Sequence, residues 1–184
     1  MQIIRIKLIT CIVVLLGIVR LAPAYSADRE LSDSIRRPDL PPECSTLAVN
    51  DGSELVFHAF AIGVQIYRWN GTKWEFVAPS ANLYADEGFH GLVATHFAGP
   101  TWQSNSGSLV VAAKAVGCTP DPTAIDWLLL DSVRNEGRGI FAKVSHVQRL
   151  NTVGGMAPSA PGTTVGDEAH IPYTAEYFFY QGTN

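Results

Sequence analysis

The sequence lacks the motifs by which enzymes bind nucleotide cofactors. No glycine-rich turn of dinucleotide-binding or P-loop spacing follows a predicted strand, and Gly137-Arg-Gly139 is too short to form one. This absence argues against a nicotinamide-dependent dehydrogenase. A Gly-x-Ser-x-Gly nucleophile motif is absent as well, and Asn105-Ser-Gly-Ser108 is typical of a turn between strands. The sequence therefore gives acyl transfer by a serine nucleophile little support.

Histidines are few, and none are paired at metal-binding spacing. The five are His58, His90, His96, His146 and His170. No two of them form a His-x-His or His-x-x-x-His pair, which would place two imidazoles on one face of a single element. We therefore predict no metal site and no bound cofactor.

Basic residues are outnumbered, with 13 Lys plus Arg against 17 Asp plus Glu and a formal net charge of −4. A surface of that sign repels phosphate backbones and anionic lipid headgroups. We therefore expect neither nucleic-acid binding nor electrostatic docking to a membrane.

The chain has one long apolar run, and it lies at the N-terminus. A basic start is followed by apolar residues 8–19 and then by small residues up to Ala27. The run is about 12 residues long, whereas a bilayer span needs roughly 20. The pattern predicts a signal peptide over residues 1–27, cleaved between Ala24 and Ala27, rather than a retained transmembrane anchor. The mature protein would be secreted, or periplasmic or in the cell wall in a bacterium, with no membrane attachment and a net charge of about −7.

Three cysteines are present, and one of them, Cys11, lies inside the predicted signal peptide. Cys44 and Cys118 then remain as an even pair in an oxidising compartment. We predict a disulfide between them; two free buried thiols are the alternative.

Helical periodicity is nearly missing from the rest of the chain. Residues 28–42 are charged and carry prolines without periodicity, which predicts a flexible arm. Residues 43–184 contain short β-branched and aromatic runs separated by Gly, Pro, Asn and Asp. This pattern predicts a single all-β domain, an antiparallel sandwich or barrel of about 8–10 short strands. Strands are expected at 54–62, 63–69, 72–77, 92–97, 108–116, 125–132, 140–150 and 172–180.

The clearest local feature is Asn70-Gly71 between two of these strands. Asn-Gly favours a two-residue type I′ hairpin turn, which would set Tyr67 opposite Trp74 and Gln65 opposite Phe76. We expect this hairpin to lie inside a sheet, with its aromatic face in the core. Asn70-Gly71-Thr72 is also an acceptor sequence for N-glycosylation.

Polar and aromatic residues concentrate at two predicted strand ends. His96 and Trp102 flank a Gly-Pro break, and Arg149 and Asn151 lie at the start of a long loop rich in glycine and proline. Together these four would bind a small polar molecule or a glycan. Alternatively, Arg149 pairs with an acidic side chain across strands and Asn151 caps a turn.

Two other functions are compatible with the same residues. The first is a cofactor-independent, hydrolase-like enzyme in which His96 is the general base and Asp126 or Glu176 is its partner. The second is a structural protein of the envelope or cell wall that has no site.

Six stretches, in order over about residues 40–180, resemble the secreted family of proteins of unknown function numbered 3455 in the DUF series. They are Gly63-Val-Gln-Ile-Tyr67, Trp74-x-Phe-x-Ala-Pro79-x-Ala-x-Leu83, His96-x-Ala-Gly-Pro-Thr-Trp102, Trp127-Leu-Leu-Leu130, Gln148-Arg-Leu-Asn-Thr-Val-Gly-Gly155 and Pro172-Tyr-Thr-Ala-Glu-Tyr177. The resemblance, to a family found in bacteria and fungi, implies no established activity. Some fungal relatives carry a malate dehydrogenase label, which the missing dinucleotide motif contradicts. Relatives often have cysteines near Trp69 and after Pro158, so the resemblance also implies that a second disulfide is absent here.

Overall fold

The computed structural model describes residues 37–182 of the chain. The predicted signal peptide, residues 1–27, and residues 28–36 of the predicted arm lie outside this range. Within it, no helix is both long enough and apolar enough to span a membrane.

Eight strands form one sheet that closes on itself. They are β1 (Ser53–Trp69), β2 (Trp74–Tyr84), β3 (Leu92–Phe97), β4 (Thr101–Ser104), β5 (Leu109–Cys118), β6 (Trp127–Glu136), β7 (His146–Gly154) and β8 (Glu168–Gly182). Each strand pairs antiparallel with the next, and β8 pairs with β1, so the sheet is an up-and-down barrel. The all-β prediction is confirmed, and a barrel rather than a sandwich is observed. The helical element among residues 37–182 is one short 3₁₀ helix, Pro42–Leu47.

The strands predicted at 54–62 and 63–69 are the single strand β1, and β2 continues to Tyr84 instead of ending at residue 77. Two further differences concern β4 and β7. β4 was not predicted, because the Gly-Pro break before it is a tight turn that returns the chain at once beside β3. β7 begins at His146 rather than at residue 140. The residues before it, which include the buried Phe141 and Val144, form turns that fill one end of the barrel.

The predicted register of the first hairpin is wrong. Trp69 lies opposite Trp74 and Tyr67 opposite Phe76, so the loop has four residues instead of two. The cause is the side chain of Asn70, whose Oδ1 accepts hydrogen bonds from the backbone N–H groups of Thr72 and Lys73, both at 2.9 Å. This Asx-type turn competes with a type I′ turn. As expected, β1 lies inside the sheet, between β2 and β8.

Asn70 is exposed at the tip of this hairpin, and its Nδ2 donates a hydrogen bond to Glu75 Oε1 at 2.7 Å. Glycosylation of Asn70 stays a prediction.

Strand alternation divides the barrel into an interior and an outer face. The two ends of the interior differ. At one end, the aromatic rings of Phe57, Phe141 and Phe179 contact one another at centroid distances of 4.6–6.0 Å. Toward the other end, β1 presents small residues and then Gln65 and Tyr67. The interior is thus packed solid at the first end and contains larger polar side chains at the second.

Gly63 permits the close approach of β1 and β2. A Cβ atom at this position would lie 2.2 Å from the carbonyl oxygen of Ser80 and 2.4 Å from the Cα of Ala81. Both contacts are with backbone, so the strands would have to move apart.

We expect Gly63→Ala to lower the free energy of unfolding by about 1–3 kcal/mol, as overpacking does in cores. Urea unfolding would measure the change. Gly182→Ala is the matched control, because a Cβ there meets nothing within 4 Å. Equal stability of the two variants would contradict the prediction.

A second apolar cluster lies on the outer face, under the N-terminal segment. It comprises Cys44, Leu47, Val49, Leu55, Leu150, Phe178 and Tyr180. The predicted disulfide is confirmed: Cys44 is bonded to Cys118, with a Cα–Cα distance of 5.6 Å. Gln148 adds a polar connection, because it donates to Leu47 O at 2.6 Å and accepts from the Tyr180 hydroxyl at 2.8 Å. The end of the predicted arm contacts the barrel too, since Arg37 donates to the carbonyl of Ser53.

Candidate ligand cavity

A cavity of about 390 Å³ occupies the second end of the barrel interior. This volume lies within the usual range of ligand pockets, about 300–1,000 Å³. All eight strands contribute to its wall. The lining residues are Gln65, Tyr67, Phe76, Pro79, His96, Pro100, Trp102, Lys114, Ile125, Asp126, Leu128, Leu130, Arg149, Met156 and Tyr177.

The cavity brings together three of the four predicted ligand-binding residues, His96, Trp102 and Arg149, as well as the predicted acid Asp126. The fourth, Asn151, is exposed on the outer face. A regular strand would turn Asn151 to the same side as Arg149. A register shift in β7 and a φ of 50° at Asn151 reverse this, and its Nδ2 donates to Glu176 Oε1 at 2.8 Å.

Glu176, the second predicted acid, also lies away from the cavity. Its Oε2 is 2.8 Å from Nε2 of His58, a different histidine from the one proposed as its partner. The hydrogen bonds from His58 and Asn151 lower the pKa of Glu176, against the opposing effect of partial burial. This pair lies on the outer face, where the His58 ring stacks on Phe178 at 4.1 Å.

His96 and Trp102 face each other across β3 and β4, and their rings stack at 4.3 Å with an interplanar angle of 6°. The Nδ1 of His96 lies 2.9 Å from Thr101 O. Since a carbonyl only accepts, Nδ1 carries the proton in this bond. Burial lowers the pKa of His96 to about 3; the bond to Thr101 opposes this effect, and the charge of Arg149 adds to it. The imidazole is therefore neutral at pH 7.

A neutral, strongly acid-shifted histidine is a weak general base, because an efficient base has a pKa near the working pH. No hydrogen bond joins His96 to Asp126 within residues 37–182; instead, Asp126 Oδ1 accepts from the Thr119 hydroxyl at 2.7 Å. The hydrolase-like arrangement thus lacks its proposed hydrogen bond.

Arg149 is half-buried at the cavity wall and has an unusual set of partners. Its Nε and Nη2 both donate to the backbone carbonyl of Asp126, at 3.1 and 2.8 Å. No carboxylate within the described range forms an ion pair with it. The Asp126 carboxylate lies instead 3.7 Å from Lys114 Nζ. The predicted alternative, pairing of Arg149 with an acidic side chain, is therefore not observed in the described part of the chain.

Three tyrosines are close enough to Arg149 to be affected by its charge. Burial raises the pKa of Tyr67, Tyr173 and Tyr177, and the charge of Arg149 opposes that shift in all three. A hydrogen bond from Arg149 to the Tyr177 hydroxyl lowers the pKa of Tyr177 further. The Tyr67 hydroxyl donates to Gly155 O at 2.7 Å, which ties the long loop to the cavity wall.

Two buried side-chain donors behind the cavity wall lack a hydrogen-bond partner at close geometry. They are Gln65 Nε2 and Trp102 Nε1, the two such side-chain atoms found within residues 37–182. Gln65 and Trp102 are 2% and 1% exposed, so neither donor atom is open to the cavity. A hydrogen bond from the Gln65 amide nonetheless lowers the pKa of Tyr173, against the larger effect of burial, which leaves the Trp102 indole as the donor without a partner in the described range. An unsatisfied buried donor costs about 1–3 kcal/mol.

Sequence reasoning missed Gln65, Tyr67, Lys114 and Tyr177 as cavity residues. The signal for the first two was their alternation on one face of a predicted strand. That face was assigned to the core, and only the barrel closure shows that the core is incomplete at this end.

The described residues hold no group of three or more His, Cys, Asp or Glu side chains arranged for a metal ion.

The fold and the cavity define an eight-stranded antiparallel barrel with an internal pocket at one end. Barrels of this size hold either side chains alone or one small ligand. The chain matches the family described as Protein of unknown function (DUF3455) over residues 50–181, and it belongs to that family. The resemblance seen in the sequence is thereby confirmed. No curated protein and no solved structure matches the chain.

Proposed function

We propose that this protein binds a small, largely apolar molecule inside its barrel and does so outside the cytoplasm. The observation that carries the proposal is the cavity itself, which lies at one end of the barrel and is lined by residues of all eight strands. A core selected for stability alone would be filled at this position, because native interiors are packed to crystal-like density.

The cavity lining favours an apolar ligand body over a glycan. Ten of the fifteen lining residues are aliphatic, aromatic or proline. A glycan usually stacks on an accessible aromatic face, and Trp102 is 1% exposed with His96 against one face. Both the indole N–H and the ring faces of Trp102 are buried.

Two features support a location outside the cytoplasm. One is the predicted signal peptide, and the other is the disulfide Cys44–Cys118, which is compatible with an oxidising compartment.

Binding of the neutral fluorophore N-phenyl-1-naphthylamine tests the proposal. We expect a saturable, one-to-one rise in its emission with a Kd on the order of micromolar. Leu128→Phe should weaken binding at least about tenfold, because Leu128 lines the cavity and a larger side chain there occupies it.

The matched control is Val153→Phe, which makes the same kind of change on the outer surface, where Val153 is 65% exposed. It should leave the Kd unchanged. The proposal fails if no apolar probe of this size shows saturable binding, or if Leu128→Phe binds the fluorophore as well as Val153→Phe does.

A further inference from the structure

The charges around the cavity do not balance. Arg149, Lys114 and Asp126 are its charged lining residues, and His96 is neutral at pH 7. Lys114 and Asp126 face each other at 3.7 Å. This leaves Arg149 as a half-buried cation with no carboxylate partner in the described part of the chain. Such cations are normally paired.

The guanidinium has more donors than these partners use. Arginine has five N–H groups; two of those on Arg149 are directed to the single carbonyl of Asp126, and one bonds the Tyr177 hydroxyl. These neutral acceptors do not neutralise the charge. A planar fork of this kind matches a carboxylate, which it binds through two parallel hydrogen bonds.

We propose that the cavity ligand is an aromatic or otherwise apolar monocarboxylate, and that Arg149 binds its carboxylate. The inference rests on the proposed function, since it assigns the ligand of the same cavity. The apolar wall formed by Leu128, Leu130 and Ile125 contacts the ligand body.

One available cation favours a monoanion over a phosphate ester. A phosphate dianion requires more neutralisation than a single guanidinium gives, and Lys114 is already opposed by Asp126. The overall surface is acidic, with 17 acidic against 13 basic residues. A positive cavity in an acidic protein is therefore a local feature and not a consequence of composition.

The test compares 2-naphthoate with 2-naphthamide by isothermal titration calorimetry. The two probes share one ring system and nearly one shape, and they differ in charge. We expect the wild-type protein to bind the acid at least about tenfold more tightly than the amide, as a charge-assisted bidentate pair implies. Arg149→Gln should abolish this preference, because only the acid loses a charge-assisted pair.

Two further variants sharpen the comparison. Arg134→Gln removes an exposed arginine of β6 that pairs with Glu136, and it should preserve the preference for the acid. Lys114→Gln removes the other cation of the cavity wall, which Asp126 already opposes, and it should also preserve that preference. If Arg149→Gln fails to fold, a preference lost in Lys114→Gln would overturn the assignment to Arg149.

The results separate the two proposals. If the amide binds as tightly as the acid, or the preference survives in Arg149→Gln, the monocarboxylate assignment is overturned and the binding function stands. If neither naphthalene probe nor N-phenyl-1-naphthylamine binds, the binding function is overturned as well.

Discussion

Replacing Cys44 and Cys118 together with alanine should lower the free energy of unfolding by about 4 kcal/mol, on the chain-entropy account of disulfides. The bond joins residues 74 positions apart, so it closes a long loop in the unfolded chain. It also holds the 3₁₀ helix Pro42–Leu47 over the outer apolar cluster, where Cys44 and Leu47 are fully buried. Removal of the bond thus increases the entropy of the unfolded chain and also loosens the attachment of the 3₁₀ helix to the barrel.

Equilibrium unfolding in urea, with and without reductant, measures the effect. Reduction of the wild-type protein should give nearly the loss seen in the double alanine variant. The double alanine variant itself should not respond to reductant. An unchanged urea midpoint after quantitative reduction would contradict the prediction. It would show that packing against the outer apolar cluster is enough to hold the N-terminal segment in place.

The disulfide was predictable because its assignment depends only on the number of cysteines in the mature chain and on an oxidising compartment. Once Cys11 is assigned to a signal peptide, one even pair remains, and no knowledge of strand order is needed. The all-β class was also predictable, because the sequence consists of short β-branched and aromatic runs bounded by turn residues.

The register of the first hairpin was not predictable in this way, because it depends on one side-chain hydrogen-bond acceptor. Asn70 was correctly placed in a turn, but its Oδ1 bonds two amides and adds two residues to the loop.

The cavity was only partly predictable, because it is formed by long-range closure of the barrel. His96 and Trp102 are close in the sequence, and their proximity across one tight turn was expected. Arg149 was singled out as a donor at a strand end. That it meets His96 in one cavity depends on the closure of β8 onto β1, which no local pattern indicates. Asn151 was misplaced relative to Arg149 because a β-bulge is invisible to strict alternation.

The alternative functions depend on the same geometry. A structural protein has no need for a cavity at one end of its barrel. A hydrolase needs a proton acceptor whose pKa is near the working pH, whereas burial lowers the pKa of His96 to about 3. Binding uses what the cavity offers, namely a cation and an apolar wall.

We expect His96 to make the stability of the protein steeply dependent on acid pH. Burial depresses its pKa to about 3 in the folded state, whereas an unfolded chain has the ordinary value of about 6.5. Between these values the unfolded state binds a proton that the folded state does not, so stability is fully present above about pH 6.5 and is lost as the pH falls. The contribution is about 4–5 kcal/mol by pH 3.

His96→Phe isolates this effect, because phenylalanine keeps a ring against Trp102 and does not titrate. Carboxylates of both proteins also bind protons in this range, so the informative quantity is the difference between the two curves of unfolding free energy against pH. The wild-type curve should fall about 4–5 kcal/mol further than the variant curve between pH 7 and pH 3. Parallel curves would mean that the folded protein accepts the imidazolium. That would in turn require a nearby anion for His96, and Arg149 would then no longer be the dominant charge at the cavity wall.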